Sequence, residues 1–332
     1  MSYRFSLIIL FPLVLFCSCE EDIQVMGDYP SKPIIYCILN PVDSIHYLRI
    51  SKSFVIRGNP DDYTLDSDSL ILKDEFYAYI EVDKPDRSGE IFYFDLSNTK
   101  QRDSGLFPRE GLVTLSAKFI PKPGVTYNLY VNLPQLPKVL SGSTKVISPV
   151  KVLDPVPWPG RETTILPDQG YTLRWASSAK YSVYQLSMNL NFYEGDSIFK
   201  TANTIEISWP LIHFNEDSPI LSQYINPASF YKKIVDVLNP PAEGSRRKII
   251  GFDVEVYAGG EELSLNSLFN DQYYNSFFGL NDYTNIDGAI GVFSSISSSG
   301  SYNNRFSDFT IDYLASSDST RLLGFYKSNE GF

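Results

Sequence analysis

Residues 184–192 read YQLSMNLNF, and apolar and polar side chains alternate through the whole stretch. The five apolar side chains share one parity, and the four polar side chains share the other. Successive side chains of a β-strand point to opposite faces of the sheet. This alternation therefore predicts a strand with one buried face and one solvated face.

The same alternation recurs in short segments along the chain. Four further segments show it: 113–119, 127–133, 205–209 and 252–256. Turn residues separate the segments, as in Pro121-Lys122-Pro123-Gly124. Short alternating strands divided by turns are typical of antiparallel sandwiches and barrels. Because 332 residues are enough for two cores, we predict an all-β protein with two antiparallel β-sandwich domains.

A cluster of prolines indicates where the two domains meet. Residues 149–160 read PVKVLDPVPWPG and contain four prolines. Proline cannot donate to the interior of a sheet ladder, so we predict a stiff, extended linker. It would separate an immunoglobulin-like sandwich at 33–148 from a second sandwich at 161–332.

The second domain begins with a pattern that resembles fibronectin type III domains. Tyr171–Trp175 and the strand from Tyr184 match the second and third strands of that fold, where a core tryptophan faces a core tyrosine. We expect a fibronectin III-like sandwich, and the resemblance implies no function.

One segment breaks the β pattern and predicts a short helix at 227–238. Asn226 is a suitable N-cap, Pro227 fits the first turn, and Asn239-Pro240-Pro241 ends the helix. Its apolar face consists of Phe230, Ile234, Val237 and Leu238. We expect this helix to cover an open edge or end of the sheet; partner binding is the alternative.

The N-terminal residues predict export and lipidation. Phe5–Phe16 is an apolar run that is too short to span the ~30 Å hydrocarbon layer, and it follows the positive charge of Arg4. Ser18-Cys19 then resembles the lipobox of bacterial lipoproteins. We predict a signal peptide at 1–18, a lipid on Cys19 and an acidic tether at 19–32. An ordinary secretory signal is the alternative.

The acidic residues after Cys19 are relevant to which side of the membrane the protein faces. Glu20-Glu21-Asp22 resembles the surface-export tag of Bacteroidetes lipoproteins, and a simple solvated tether is the alternative. We expect a lipid-anchored protein of the outer membrane that faces either the cell surface or the periplasm.

The cysteine count and the charge agree with this location. Once Cys17 leaves with the signal and Cys19 carries lipid, Cys37 is the last of three cysteines, so the mature chain cannot form an internal disulfide. The formal net charge of −11 argues against binding to nucleic acid.

The sequence contains no motif that predicts catalysis. Its two histidines, His46 and His213, lie in no HExxH cluster, and no GxSxG, GxGxxG or GxxxxGK[ST] occurs. We therefore predict no catalytic residue, no metal and no cofactor. Ser294–Ser301 (SSISSSGS) is interpreted as a flexible loop, and Arg246-Arg247-Lys248 as a solvated lead-in to a strand.

Two acidic loops leave calcium binding open. The first carries Asp61, Asp62, Asp66 and Asp68, and the second carries Asp282, Asn285 and Asp287. Neither has the spacing of an EF-hand loop, so solvated turns are the favoured interpretation.

Aromatic residues outside clean strands are the candidates for ligand contact. They are Trp158, Tyr273, Tyr274, Phe277 and Phe278. Core packing accounts for most aromatics of a sandwich, and glycan stacking is the functional alternative for these five.

An ordered set of motifs resembles a family of Bacteroidetes lipoproteins, grouped as domain of unknown function 4249. The motifs are Pro33–Pro41 (PIIYCILNP) with Asp43, His46–Phe54 (HYLRISKSF), Phe230-Tyr231 and Tyr283–Phe293 (YTNIDGAIGVF). The resemblance implies residence in the outer membrane and company with TonB-dependent transporters, and it supplies no catalytic residues.

These observations favour a non-enzymatic outer-membrane lipoprotein that assists a TonB-dependent transporter in nutrient uptake. A cell-surface adhesin or glycan-binding structural module is the first alternative. A hydrolase is the second, because nothing in the sequence selects or excludes a catalytic pair among 39 acidic residues.

Overall fold

The computed structural model of the protein describes residues 32–53, 76–83, 89–97, 113–157, 159–177, 181–196, 198–215, 218–270 and 283–331. Within these ranges the chain is mostly β, with seventeen strands and three α-helices, so the predicted all-β class is confirmed. No helix in the same ranges is long and apolar enough to cross a bilayer.

The strands of the first part are β1 (Pro33–Leu39), β2 (Ile45–Lys52), β3 (Tyr77–Asp83), β4 (Ile91–Tyr93), β5 (Asp95–Leu96), β6 (Val113–Lys118), β7 (Thr126–Asn132), β8 (Leu140–Lys145) and β9 (Lys151–Asp154). Those of the second part are β10 (Tyr171–Ala176), β11 (Tyr181–Gly195), β12 (Lys200–Ser208), β13 (Ile212–Asn215), β14 (Ile220–Ile225), β15 (Arg246–Gly259), β16 (Ile286–Asp287) and β17 (Ile290–Asn304). The helices are α1 (Pro227–Val237), α2 (Glu261–Asn270) and α3 (Asp308–Ser316), and a 3-10 turn follows at Arg321–Leu323.

One nine-stranded sheet runs through the molecule in the order β12-β11-β15-β17-β1-β2-β6-β5, with β13 also paired to β11. A five-stranded sheet (β16-β8-β7-β3-β4) and a three-stranded sheet (β14-β10-β9) accompany it. Among the named pairs of the described strands, β1 and β17 are parallel and the others are antiparallel, as predicted for the fold class.

The buried residues form two separate cores. In the first core, Ile35 and Leu48 of the large sheet belong to the same buried cluster as Leu129 of the five-stranded sheet. In the second, Leu190 of the large sheet belongs to the same cluster as Trp175 of the three-stranded sheet. Each such side chain stabilises the fold by about 1.5–3 kcal/mol when fully buried. The molecule is thus two sandwiches that share one large sheet.

Strand β17 belongs to both sandwiches, which revises the predicted domain limits. Its residues 290–295 pair with β1, and its residues 296–304 pair with β15. Ile286, Ala289 and Phe293 are buried in the first core. The first sandwich therefore contains residues from beyond 161, because β1 would otherwise expose an unpaired edge on this side.

The segment predicted as a linker takes part in the second sandwich. Residues 151–154 form β9, which pairs with β10, and Val150 and Val152 are buried in the second core. Its prolines lie just outside the strand, where no ladder hydrogen bond is lost. Residues 149–160 therefore contribute strand β9 to the second sandwich and also connect the two sandwiches.

The serine-rich segment is a strand, so its interpretation as a flexible loop was wrong. The side-chain oxygens of Ser295, Ser297 and Ser299 accept hydrogen bonds from the backbone N–H groups of residues 147, 150 and 152, at 3.0, 3.1 and 3.3 Å. Ser295 and Ser297 are fully buried. The hydroxyl groups of these serines thereby satisfy backbone donors of residues 147–152.

Helix α1 forms where it was predicted, although one residue of its predicted apolar face is not buried. The side chain of Asn226 caps it by accepting from the backbone N–H of Ser229, and Phe230 and Ile234 are buried in the second core. Val237 is 53% exposed, so the buried face is narrower than expected. Helices α2 and α3 were not predicted.

Arg247 is buried, which corrects its interpretation as part of a solvated lead-in. Its Nε atom donates to Glu194 at 2.7 Å, and its Nη1 atom donates to the carbonyl oxygens of Asn239 and Leu323 at 2.8 and 2.9 Å. The several donors of one guanidinium group thereby connect β11, the end of α1 and the C-terminal segment.

Candidate functional site

The residues predicted to carry function lie outside the described residues. These are Cys19 and the aromatic candidates Trp158, Tyr273, Tyr274, Phe277 and Phe278. The first acidic loop, with Asp61, Asp62, Asp66 and Asp68, lies outside them as well, and so does Asp282 of the second.

The described residues of the second acidic loop already have protein partners. The side-chain oxygen of Asn285 accepts from the backbone N–H of Phe293 at 2.9 Å, and Asp287 forms an ion pair with Lys138. Within the described ranges no three His, Cys, Asp or Glu side chains cluster as metal ligands would. Asn285 therefore fixes the turn before β17.

His46 has a structural environment, as expected for a lone histidine in a strand. Its side chain is buried, its Nε2 atom lies 3.2 Å from the carbonyl oxygen of Phe119, and the two rings are 4.7 Å apart. Burial lowers the pKa of the imidazole. The backbone of the second histidine, His213, lies in β13.

A cleft of about 460 Å³ lies at the C-terminal end of β17, and we refer to it as the β17 cleft. Its lining residues are Pro157, Pro159, Gly160, Arg161, Glu162, Tyr302, Asn303 and Arg305. This volume falls within the range of small-molecule sites, about 300–1,000 Å³. The sequence neighbours of the predicted contact residue Trp158 thus belong to a cleft.

Backbone hydrogen bonds hold the two walls of the β17 cleft together. The N–H of Thr163 donates to the carbonyl oxygen of Arg305 at 2.8 Å, and the N–H of Ser307 donates to that of Thr163 at 2.9 Å. Asn303 has a φ of +58°, a conformation that asparagine tolerates better than most residues. Its N–H donates to Asp253 at 2.7 Å, which fixes the end of β17.

The β17 cleft presents charges of both signs to solvent. Arg161 lies 3.7 Å from Asp154 in a loose, partly exposed ion pair. In the part of the chain that the structure describes, Arg305 and Glu162 take part in no ion pair. Two guanidinium groups, a carboxylate and an amide therefore line one space and can hydrogen-bond a polar ligand, whereas the hydroxyl of Tyr302 already donates to Glu255 at 3.3 Å.

A smaller cavity of about 190 Å³ adjoins the cleft and shares Arg161, Glu162 and Arg305 with it. Tyr171 and Asp154 also line this cavity. Burial, and then the charge of Asp154, raises the pKa of the Tyr171 phenol. The phenol is therefore a neutral hydrogen-bonding group at neutral pH.

Strand β17 separates the cleft from the N-terminal end of β1. Ile34, at the start of β1, pairs with Ile290, and Asn303 lines the cleft. Asn303 lies twelve residues after Gly291 along the strand, which corresponds to at most roughly 40 Å at about 3.3 Å per residue. The cleft therefore opens at the opposite end of the large sheet from the N-terminus of β1.

Comparisons with known proteins leave the family open. No family model and no curated protein matches the chain. The C-terminal globular domain of an oligosaccharyltransferase from Pyrococcus abyssi is 12% identical, over 66% of this chain and 42% of that chain, with a TM-score of 0.22. The BSP domain of a biofilm-associated protein is 8% identical, over 81% and 58%, with a TM-score of 0.16. The chain thus spans less than two thirds of either, and neither likeness informs its function.

Few features of the sequence predict the β17 cleft. Arg161 and Glu162 follow a proline-rich segment, and Tyr302–Arg305 follow a serine-rich one, about 140 residues later. No motif connects the two segments. The two segments are brought together by side-chain hydrogen bonds from β17 to residues 147–152 and by the backbone hydrogen bonds of Thr163. Serine composition does not predict such bonds.

Proposed function

We propose that this protein is a lipid-anchored, non-enzymatic protein of the outer membrane that captures a small polar ligand in the β17 cleft and passes it to a TonB-dependent transporter. The observation that carries the proposal is the position of the cleft. It opens roughly 40 Å along β17 from the point where the chain would arrive from its lipid anchor.

The predicted tether is consistent with this arrangement. Residues 19–32 reach at most about 50 Å when fully extended, since the chain spans no more than ~3.6 Å per residue. A lipid on Cys19 would anchor the protein by burying methylene groups, at about 0.8 kcal/mol each. The start of β1 would then lie within about 50 Å of the membrane, and the cleft would lie at the other end of β17 from this point of attachment.

The chemistry of the lining supports binding without a reaction. None of the described residues that line the cleft is a serine, cysteine or histidine that could serve as an activated nucleophile or its base. Arg161 and Arg305 suit acceptor oxygens of the ligand, Glu162 suits its donors, and Tyr302 offers a ring. A small hydrophilic nutrient matches this set.

The proposal is tested by purifying the C-terminally tagged protein from its native outer membrane in mild detergent and identifying co-eluting proteins by mass spectrometry. We expect a TonB-dependent barrel in a fixed ratio. Elution without any barrel would contradict the transport role. The matched variant Cys19→Ala should give a soluble species or one that retains its signal peptide, which mass spectrometry distinguishes. Firm retention of the processed variant in the membrane fraction would contradict the lipid anchor.

A surface adhesin is the second candidate, and one observation favours it. Ile198 and Phe199, at the tip of the β11–β12 hairpin, are 78% and 79% exposed. The side chain of Asp196 accepts from both of their N–H groups at 2.7 Å, which fixes the tip. An Ile198→Ser/Phe199→Ser variant that loses attachment of cells to a surface, and keeps its transporter, would favour adhesion.

A further inference from the structure

Four tyrosines lie together on the outer side of the five-stranded sheet, in the first sandwich. They are Tyr77 and Tyr79 of β3, Tyr93 of β4 and Tyr130 of β7, and we call them the tyrosine face. The ring of Tyr79 lies 6.5 Å from that of Tyr77, 5.8 Å from that of Tyr93 and 5.0 Å from that of Tyr130. The four rings thus form one aromatic surface.

Strand register brings these rings together. Tyr79 pairs with Tyr93 on one side and with Tyr130 on the other, so the three rings form a row across β4, β3 and β7. The residues of opposite parity, Ala78 and Ile80, are buried in the first core. Because strand side chains alternate between faces, the tyrosines must point away from that core.

The tyrosine face keeps much of its surface and its polar groups available. Tyr77 is 55% exposed and Tyr93 is 62% exposed. The hydroxyl groups of the four tyrosines make no hydrogen bond within the described part of the chain. Burial, followed by the charge of neighbouring groups, raises the pKa of Tyr79, so its hydroxyl stays neutral.

The described surroundings of the tyrosine face are polar, and no cationic side chain pairs with its four tyrosines there. Asn132 pairs with Tyr77, and Ser141 pairs with Tyr130. Glu81 follows Tyr79 on the same side of β3, and its partner on β7 is Asn128. Neutral hydrogen-bonding groups and one carboxylate therefore border the rings, which disfavours anionic ligands such as nucleic acid.

Sheet stability alone does not account for this surface. Cross-strand aromatic pairs contribute roughly 0.2–1 kcal/mol each, and Tyr79 with Tyr130 can serve that purpose. Tyr77 and Tyr93 instead leave more than half of their surface in water. A cluster of exposed rings bordered by polar groups marks a binding surface.

We propose that the tyrosine face binds a neutral saccharide. The apolar C–H groups of sugar rings pack on aromatic rings, while sugar hydroxyls exchange hydrogen bonds with the tyrosine hydroxyls and with Asn128, Asn132 and Ser141. Three rings in a row favour an oligosaccharide over a single sugar. This saccharide site goes beyond the proposed function of the β17 cleft. The two sites share no residue, so each can be tested independently of the other.

The test uses isothermal titration of the full mature chain with glucose, cellohexaose, mannohexaose and xylohexaose, and with hexagalacturonate as the acidic comparison. We expect at least one neutral hexasaccharide to bind, and to bind more tightly than glucose. No binding to any neutral hexasaccharide overturns the inference. Tighter binding to hexagalacturonate than to all neutral sugars overturns it as well.

Variants assign the binding to this face. Tyr77→Thr/Tyr93→Thr keeps β-forming residues on exposed positions and should weaken binding by about tenfold or more, since two ring contacts are lost. The control is Tyr224→Thr, which removes an exposed strand tyrosine of the other sandwich.

Two outcomes would contradict this assignment. Equal affinities of the parent and the double variant, with unchanged melting temperatures, would place the sugar elsewhere. Loss of binding in Arg305→Ala but not in the double variant would assign it to the β17 cleft.

Discussion

The rings of Trp175 and Tyr184 lie 5.3 Å apart, tilted by 53°, and neither side chain is exposed to solvent. Trp175 belongs to the three-stranded sheet and Tyr184 to the large sheet, so their contact joins the two layers of the second sandwich. The fibronectin III-like pattern predicts this pair. This contact confirms that the apolar side chains of YQLSMNLNF form the buried face of the strand.

Replacing Trp175 by alanine should destabilise the protein strongly. The change removes a fully buried ring and leaves a cavity beside Tyr184, so we expect the free energy of unfolding to fall by about 3–5 kcal/mol. Urea denaturation of the mature chain measures it. The exposed Tyr224→Ala serves as the control and should change stability much less. Similar losses for the two variants would contradict the core position of Trp175.

The serines of β17 provide a test within a single strand. Ser297→Ala leaves the backbone N–H of Val150 buried without its acceptor, which costs about 1–3 kcal/mol of unfolding free energy. Ser298→Ala changes the next residue, which is exposed on the other face, and should be nearly neutral. Equal effects of the two variants, measured by urea denaturation, would show that the hydroxyl of Ser297 does not hold residues 147–152.

Arg247 should be far more important for stability than a surface arginine. Arg247→Ala leaves Glu194 without its partner and two carbonyl oxygens without a donor, so we expect a loss of about 3–5 kcal/mol. The N–H of Tyr326 donates to the carbonyl oxygen of Arg247, so amide exchange at Tyr326 should accelerate as the C-terminal segment loosens. Arg321→Ala removes an exposed arginine nearby and is the control. Unchanged exchange at Tyr326 in Arg247→Ala would contradict the connecting role.

Side-chain patterns predicted the parts of the fold that depend on local sequence. The alternation at 184–192 predicted the buried face of β11, and Asn226 with Pro227 predicted the start of α1. The position of β17 could not be predicted in this way. Its residues 294–301 contain one apolar side chain, and the strand is held by β1, which lies about 250 residues earlier, and by serine hydroxyl groups. The β17 cleft depends on that placement, so it was missed too.

Glu262 should make stability depend on pH at the junction of the two sandwiches. Its carboxylate accepts from Thr144 at 2.9 Å and from Ser294 at 2.8 Å, which connects β8, α2 and β17. Burial raises its pKa in the folded protein above the value of an unfolded chain, about 4.3. The stability associated with the protonated form is therefore fully present below pH ~4.3 and is lost as the pH rises through the folded pKa.

The variant Glu262→Gln tests this pH dependence, because it keeps an acceptor oxygen and cannot ionise. We expect it to be more stable than the parent at pH 7, and the difference to vanish below pH ~4 in urea denaturation at a series of pH values. The exposed neighbour Glu261→Gln should show no comparable gain. A constant difference between Glu262→Gln and the parent across the whole pH series would mean that the carboxylate of Glu262 does not titrate differently in the folded and unfolded chains.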